Sequence, residues 1–309
     1  MTTTSTPPVG PASPAAETAP ASLLSAARCE LGEGPTYDAA SNTAWWFDIL
    51  QRQLFEANLG TGEVKVHALP FRASALAFVD DRRQLLLSDA ALVLRDIATG
   101  QLQTVIAVEA DNPATRSNDA RVHPSGTFWV STMGLQAEPG AGAIYAFRKG
   151  ILTPLFPGLT IPNAICFSPD GLQGYFTDTP SNRLYRVRLD PATGLPLEPP
   201  AVLHVHTGEG GMDGAVTDSE GRIWCAIWGA GRLDVYSPEG RIVRRVAVPA
   251  RQTSCPVFVG PGFDRLLVTS AFVSMDEAER AADPQHGRTF LIDAGAHGRA
   301  EPRVALGGA

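Results

Sequence analysis

The chain has 309 residues, of which 44% are hydrophobic, and a formal net charge of −7 at pH 7. This acidic balance argues against nucleic acid or a membrane as a partner, and it is compatible with a bound cation and a neutral small-molecule substrate. No stretch of the sequence approaches the ~20 consecutive apolar residues of a membrane-spanning helix. The length alone would allow two domains, but repeat architectures of this size form a single domain.

Residues 1–25 differ in composition from the rest of the chain. The segment MTTTSTPPVGPASPAAETAPASLLS is rich in Pro, Thr, Ala and Ser, and the one charged side chain in it is Glu17. Such a segment cannot bury enough apolar surface to offset the entropy lost on ordering, so it predicts a disordered tail before a domain of residues 26–309. It has neither the basic start nor the long apolar run of a secretory signal, which favours a cytoplasmic protein.

The four cysteines are widely spaced and form no C-x-x-C pair. Cys166 and Cys225 lie within apolar strand runs, which indicates core thiols. This usage is typical of a reduced, cytoplasmic protein and not of a small disulfide-stapled domain.

After the tail, one short pattern occurs six times, each copy with a turn and then a strand of apolar, mostly aromatic or β-branched residues. The six strands read WWFD, LLSD, WVST, YFTD, WCAI and LVTS, and they end at positions 48, 89, 132, 178, 227 and 270. A stretch of alternating apolar and polar residues follows each strand and ends in a glycine turn. A repeat of roughly 40–50 residues built only of short strands is typical of a propeller blade, so the sequence predicts an all-β, six-bladed β-propeller. Helical periodicity is confined to MDEAERAAD (residues 275–283), for which we expect one or two helical turns within a loop.

Four polar side chains occupy the same phase of this repeat, 14 or 15 residues before the end of the strand: Glu33, Asn118, Asn163 and Asp213. Ser74 and Cys255 hold the equivalent positions in the other two copies. Because the innermost strand of each blade lines the central channel, side chains at one phase point towards the same mouth. Two carboxylates and two carboxamides would form an oxygen-donor cage that suits Ca²⁺, Mg²⁺ or Mn²⁺, and Zn²⁺ also accepts carboxylates. The preference of Asn and Asp for turns offers a purely structural alternative.

The same segments resemble the senescence-marker-protein, gluconolactonase and regucalcin family over about residues 26–309. The motifs that carry the resemblance are LGEGPTYD from Leu31, RSNDARVHPSGTFWVSTM from Arg116, IPNAICFSPDG from Ile161, MDGAVTDSEGRIWCAIWGAG from Met212 and TSCPVFVG from Thr253. The resemblance implies a six-bladed propeller with one catalytic divalent cation. It further implies that Glu33, Asn163 and Asp213 bind the cation and that Arg116 and Asn118 bind a sugar lactone.

Two positions depart from the family pattern. The family uses a further acidic residue in the loop after the third core strand, where Gln136 aligns without a gap and Glu138 keeps the chemistry, and both remain candidates for substrate binding. His123 stands where the family motif has Asp before Pro. Because it lies in a blade turn, we expect a structural exchange with no catalytic effect.

The activity implied by the resemblance is hydrolysis of an aldonolactone. A divalent cation can polarise the lactone carbonyl and activate a water, and Asp213 can take the water's proton as general base or serve as a ligand. A phosphotriesterase-like hydrolase and a non-enzymatic calcium-binding propeller are the alternatives. Arg116 and Asn118 beside the cage favour an enzyme, since a scaffold has no need of them. The identity of the cation, the lactone and the oligomeric state stay open.

Overall fold

Six four-stranded antiparallel sheets make up residues 14–307, the part of the chain that this computed structural model describes. An N-terminal strand, β1, spans Ala21–Ser25. Blade 1 contains β2 (Gly32–Asp38), β3 (Thr43–Asp48), β4 (Gln53–Asn58) and β5 (Val64–Ala68). Blade 2 contains β6 (Ala73–Phe78), β7 (Arg83–Ser88), β8 (Ala91–Asp96) and β9 (Leu102–Ala107). Blade 3 contains β10 (Thr115–Val122), β11 (Phe128–Gly134), β12 (Gly142–Arg148) and β13 (Ile151–Leu159).

The other three blades follow the same plan. Blade 4 contains β14 (Pro162–Phe167), β15 (Gln173–Asp178), β16 (Arg183–Arg188) and β17 (Ala201–Val205). Blade 5 contains β18 (Gly211–Thr217), β19 (Ile223–Trp228), β20 (Arg232–Tyr236) and β21 (Ile242–Ala247). Blade 6 contains β22 (Thr253–Val259), β23 (Arg265–Ser270), β24 (Thr289–Asp293) and, as its outermost strand, β1. The predicted all-β, six-bladed β-propeller is confirmed.

Helical structure within residues 14–307 is brief. The α-helix α1 (Glu277–Ala282) lies in the loop between β23 and β24, where the sequence predicts one or two helical turns. Asp276 caps it by accepting a hydrogen bond from the amide of Glu279, whose carboxylate accepts one from the Asp276 amide in return. A 3₁₀ turn spans Thr179–Ser181. No helix in the described range is long and apolar enough to cross a membrane.

The blades are held together by apolar cores that lie between neighbouring sheets. Each of the six hydrophobic clusters combines residues of two adjacent blades. The aromatic residues of the repeat motif supply much of this packing: Trp129 of blade 3 meets Phe167 of blade 4 edge-on at 5.1 Å between ring centroids, and Trp224 of blade 5 meets Phe258 of blade 6 at 5.8 Å. All four cysteines are buried and free, so Cys166 and Cys225 are core thiols as predicted.

The ring closes at the innermost strands. Each of β2, β6, β10, β14, β18 and β22 contacts the innermost strand of both neighbouring blades, and β22 contacts β2. All six are the first strands of their blades and run in the same sense along the axis. Their first residues therefore gather at one mouth of the channel and their last residues at the other.

The prediction that residues 1–25 form a disordered tail is wrong for the described residues 14–25. Strand β1 pairs with β24 at the outer edge of blade 6, and Leu24 packs on the apolar cluster between blades 6 and 1. Upstream, Glu17 forms a backbone bridge to Val246 of blade 5. The composition of the segment did not predict this strand, because an outer strand needs few apolar residues when a free sheet edge is available for pairing. Strand β24 provides that edge. Residues 1–13 lie outside the described range.

A β-bulge interrupts each innermost strand near its first residues. The pairing with the second strand shifts between Glu33 and Thr36, Ala73 and Ala75, Ser117 and Ala120, Asn163 and Cys166, Met212 and Ala215, and Thr253 and Pro256. A bulge takes residues out of the ladder and re-aims their side chains, and it is common beside active sites. In the first bulge, Gly34 adopts a φ of 56° and a Cβ there would overlap the carbonyl of Ser74, so only glycine fits.

The C-terminal strap, residues 297–306, crosses the channel at the end opposite to the bulges. It hydrogen-bonds to the last residues of several innermost strands: the Val304 amide donates to the carbonyl of Phe78 in blade 2, and Arg299 donates to that of Phe167 in blade 4. The Ala305 amide also donates to Gly126 in blade 3. The strap therefore ties blades on different sides of the ring to one another.

His123 is fully buried in the turn between β10 and β11. Its Nδ1 accepts a hydrogen bond of 3.0 Å from the Ser125 amide, so the proton lies on Nε2, which donates to the carbonyl of Gly171 in blade 4 at 2.9 Å. In the corresponding turn of blade 5, the Asp218 carboxylate accepts the equivalent hydrogen bond, from the Glu220 amide. His123 thus replaces the turn-capping aspartate of the family motif and adds a link to the next blade. It is not among the residues that line the bulge end of the channel.

Removing β1 should destabilise the propeller. We expect deletion of residues 1–25 to lower the free energy of unfolding by about 2–4 kcal/mol, because several backbone hydrogen bonds and the burial of Leu24 are lost. Urea denaturation followed by tryptophan fluorescence measures the difference. Deletion of residues 1–13 is the control, since it keeps every contact described above. Equal stability of both truncated chains and the full chain would show that β1 does not close blade 6.

The neutral state of His123 should make stability depend on pH. Burial lowers the pKa of His123 from its ordinary 6.5. Between the two pKa values, His123 is therefore protonated in the unfolded chain and neutral in the native protein. The contribution of neutral His123 to the free energy of unfolding is complete above pH 6.5, and it is lost as the pH falls from there through the lower native pKa. Relative to the His123→Asp variant, the unfolding free energy of the wild type should fall by about 1 kcal/mol from about pH 7.5 to about pH 5, because Asp keeps the cap but does not titrate there. Parallel pH profiles for the two proteins would contradict this account.

Candidate active site

One cavity of about 380 Å³ opens at the bulge end of the channel, and the polar residues of the shared repeat phase line it. The lining residues are Leu31, Glu33, Leu50, Arg116, Asn118, Met133, Leu135, Ile161, Asn163, Thr179, Asp213, Trp228, Val273 and Ser274. The structure therefore brings together Glu33, Asn163 and Asp213, and it places Arg116 and Asn118 beside them.

A directed chain of hydrogen bonds crosses the cavity from blade 3 to blade 5. Arg116 donates to Asn118 Oδ1 at 3.1 Å, and Asn118 Nδ2 donates to Asn163 Oδ1 at 3.0 Å. Asn163 Nδ2 then donates to the hydroxyl of Thr179 at 3.0 Å, and that hydroxyl donates to the carbonyl of Met212 at 2.7 Å. Because the Thr179 proton is committed to Met212, its oxygen must accept from Asn163. This fixes both carboxamides with their oxygens facing their donors, and Asn163 Oδ1 keeps a lone pair for a ligand.

The two carboxylates of the cavity are held in an unfavourable environment. Burial raises the pKa of Glu33 to about 8, and the neighbouring charge of Asp119 adds to the effect. Burial also raises the pKa of Asp213 well above its ordinary value, with the charge of Glu33 as the next cause. Glu33 accepts a hydrogen bond from the Gly34 amide at 3.1 Å, the Gly214 amide lowers the pKa of Asp213 in the same way, and neither carboxylate accepts a hydrogen bond from a side chain of the described residues. Like charges brought together out of water are stabilised when a cation joins them.

Arg116 is the cation of the cavity wall. It lies two residues before Asn118 on β10, and burial lowers the pKa of its guanidinium to about 10, partly offset by Glu33. One of its nitrogens donates to the Ser117 carbonyl and to Asn118 Oδ1. The remaining donors of its planar fork are available to an oxygen-rich ligand.

Asp119 and Arg121 lie beneath the cavity on the same strand, and the sequence reasoning missed both. Asp119 Oδ2 accepts a hydrogen bond of 2.7 Å from the amide of Ile165, which links the bulges of blades 3 and 4. Arg121 reaches across the channel and donates to the carbonyl of Ala215 in blade 5 at 2.9 Å. The signal was present in the motif RSNDAR, where the residues after Asn118 continue along the strand that lines the channel.

The rest of the cavity lining is largely apolar. Leu31 and Ile161 each stand two residues before a polar site residue, so period-2 alternation along a strand could have placed them at the mouth. Trp228 is the last residue of β19, and Val273 and Ser274 come from the long loop that carries α1. The sequence did not identify which residues of that loop reach the cavity, because loop geometry is not encoded in the repeat.

The structure does not bring Gln136 or Glu138 to the cavity. Both are exposed, and the Glu138 carboxylate accepts a hydrogen bond of 3.0 Å from the Gln136 amide. Leu135, the residue directly before Gln136, lines the cavity, whereas Gln136 and Glu138 do not. The structure therefore supports neither Gln136 nor Glu138 as a substrate-binding residue.

The donor set of the cavity fits a hard divalent cation. No group of three or more His, Cys, Asp or Glu side chains within residues 14–307 is arranged to hold a metal ion. The oxygen donors that converge are instead two carboxylates, of Glu33 and Asp213, and the carboxamide oxygen of Asn163. Such a mixed set is typical of Ca²⁺ or Mg²⁺ sites, where water completes the coordination, and it lacks the nitrogen and sulfur donors that transition metals favour.

Comparison with known proteins gives the same family as the motifs. The family model described as SMP-30/gluconolactonase/LRE-like region matches residues 31–272. A protein assigned as a sugar lactone lactonase from Rhizobium meliloti (strain 1021) is 51% identical, over 92% of this chain and 96% of its own. L-arabinolactonase from Azospirillum brasilense is 32% identical, over 92% of this chain and 95% of its own. The crystal structure of a calcium-binding protein, regucalcin, from Agrobacterium tumefaciens str. C58 superposes with a TM-score of 0.91, at 52% identity over 93% of this chain and 97% of that one.

Proposed function

Because the chain belongs to the SMP-30/gluconolactonase/LRE-like family, we propose that it uses one divalent cation to hydrolyse a neutral sugar aldonolactone to the aldonic acid. Its relatives are lactonases, and it is accordingly an enzyme of the hydrolase class. The single observation that carries the proposal is the convergence of Glu33, Asn163 and Asp213 with Arg116 in one cavity. A binding scaffold would need the first three residues but not the buried arginine beside them.

Glu33, Asn163 and Asp213 would hold the cation. When bound, it would polarise the lactone carbonyl as a Lewis acid and make a neighbouring water a better nucleophile. The buried carboxylates supply the negative charge that retains it, and the chain of hydrogen bonds through Asn118 and Thr179 keeps the Asn163 oxygen turned towards it.

Asp213 is the best-placed general base. Its carboxylate lies in the cavity and accepts no side-chain hydrogen bond from the described residues, so an oxygen is free to take a proton from the attacking water. Asp213 would therefore serve both as ligand and as base.

Arg116 and Asn118 would bind the lactone. The guanidinium fork of Arg116 can hold two substrate oxygens at once and can stabilise negative charge that develops on the carbonyl oxygen. The rest of the lining is largely apolar, with Leu50, Met133 and Val273 among its residues, and beyond Arg116 the described residues put no basic side chain there to bind a further anionic group. This supports a small neutral ring as substrate, of the pentono- or hexonolactone class.

The activity test is base consumption at constant pH with a panel of pentono- and hexonolactones. We expect hydrolysis to stop after treatment with a chelator and to return when Ca²⁺, Mg²⁺, Mn²⁺ or Zn²⁺ is added, whereas Asp213→Asn should stay inactive with any of them. Full activity in the presence of the chelator would remove the cation from the mechanism. Faster hydrolysis of a phosphotriester than of every lactone would favour the phosphotriesterase alternative.

Replacing Arg116 by Lys should weaken transition-state binding. We expect kcat/KM for the best lactone to fall by an amount equivalent to about 2–4 kcal/mol, because an ammonium group cannot replace the planar fork. Metal content, measured by atomic absorption after dialysis, should not change. Arg188→Lys is the control, since this arginine of β16 is exposed and, among the described residues, pairs with Glu198 alone. A kcat/KM within twofold of the wild type would place Arg116 outside the reacting region.

A further inference from the structure

Arg121 is a buried positive charge directly below the cavity. It follows Asn118 by three residues on β10, and its exposed side-chain fraction is 8%. Its charge acts on Glu33 and on Asp119, lowering the pKa of each against the effect of burial. An arginine in this position opposes the binding of a cation, because it repels the cation and competes with it for the same carboxylates.

Glu301 of the C-terminal strap approaches Arg121 from the other end of the channel. The two side chains form an ion pair of 3.0 Å, and the exposed fraction of the Glu301 side chain is 13%. Burial lowers the pKa of Arg121, but the charge of Glu301, the foremost opposing cause, contributes to a net rise. The other end of the guanidinium donates to the Ala215 carbonyl, two residues after Asp213.

Glu301 adds a negative charge at the lower end of the channel, where it pairs with Arg121. Above Arg121, the carboxylates of Glu33 and Asp213 lie near the guanidinium of Arg116. Loss of Glu301 would leave the positive charge of Arg121 without its carboxylate partner below the cavity. Arg299, also on the strap, is engaged with the carbonyls of Phe167 and Pro169 in blade 4 and anchors the segment.

We propose that the C-terminal strap sets the cation affinity of the site at the opposite mouth, with Glu301 offsetting the positive charge of Arg121 that would otherwise repel the cation. The proposal rests on the cation site described under Proposed function. Glu301 touches neither substrate nor cation, and it acts through Arg121. The strap is thus part of the site electrostatics as well as a closure of the channel.

Calorimetric titration of Mn²⁺ into the metal-free full-length chain tests the role of Glu301. We expect Glu301→Gln to raise the dissociation constant by roughly three- to tenfold, as one buried charge lost near the site would do. Glu220→Gln is the matched control, because this glutamate is 69% exposed and pairs with Arg222 in a blade turn. Its dissociation constant should equal that of the wild type.

The paired variant Arg121→Met with Glu301→Gln separates charge from packing. It removes both members of the ion pair and leaves no unpaired buried charge, so it should fold even if Glu301→Gln alone does not. We expect it to bind Mn²⁺ within about twofold of the wild type, because the net charge near the site is restored. Melting curves recorded in chelator verify that each variant is folded.

Three results would overturn the proposal. Wild-type affinity in Glu301→Gln would show that the strap does not influence the site. Weak binding in the paired variant, equal to that of Glu301→Gln, would assign the effect to packing. If the wild type itself binds no Mn²⁺, the proposed function fails and this inference with it, whereas either of the first two results leaves the cation site intact.

Discussion

The site depends on one geometric constraint, which is that six innermost strands run in the same sense around a single axis. Each strand carries its bulge at the same level, so residues from blades more than 40 positions apart in the chain meet at one mouth. The inter-blade apolar cores keep the strands at this spacing. A loop-built site would need its own supporting shell, whereas here the fold itself holds Glu33, Asn163 and Asp213 in place.

Burial gives these residues their chemistry and also makes them costly. Two carboxylates with raised pKa values, neither of which accepts a side-chain hydrogen bond from the described residues, destabilise the protein unless a positive charge joins them. The arginines on β10 offset this charge only in part, and neither forms an ion pair with Glu33 or Asp213 in the described residues. Arg116 is hydrogen-bonded to Asn118, and Arg121 is paired with Glu301. The carboxylates would therefore be available for the proposed cation at the expense of stability.

Sequence alone predicted the features that the repeat encodes. The aromatic strands and their spacing predicted the six blades, and the shared phase predicted that Glu33, Asn118, Asn163 and Asp213 converge. It failed where a contact has no counterpart in the repeat. Strand β1 was missed because its partner β24 is far away in the chain, and Glu301 because the strap has no periodic pattern. Gln136 and Glu138 were chosen by alignment to a loop, and loop conformation is not set by strand periodicity.

The most direct test of the account is anomalous X-ray diffraction from crystals grown or soaked with Mn²⁺ after chelator treatment. A cation held by these residues should give one strong anomalous peak at the bulge end of the channel, within about 2.5 Å of carboxylate oxygens of Glu33 and Asp213 and of the Asn163 carboxamide oxygen. A peak at another place in the fold, or none in the cavity at saturating Mn²⁺, would contradict the claim that these three residues form a cation site.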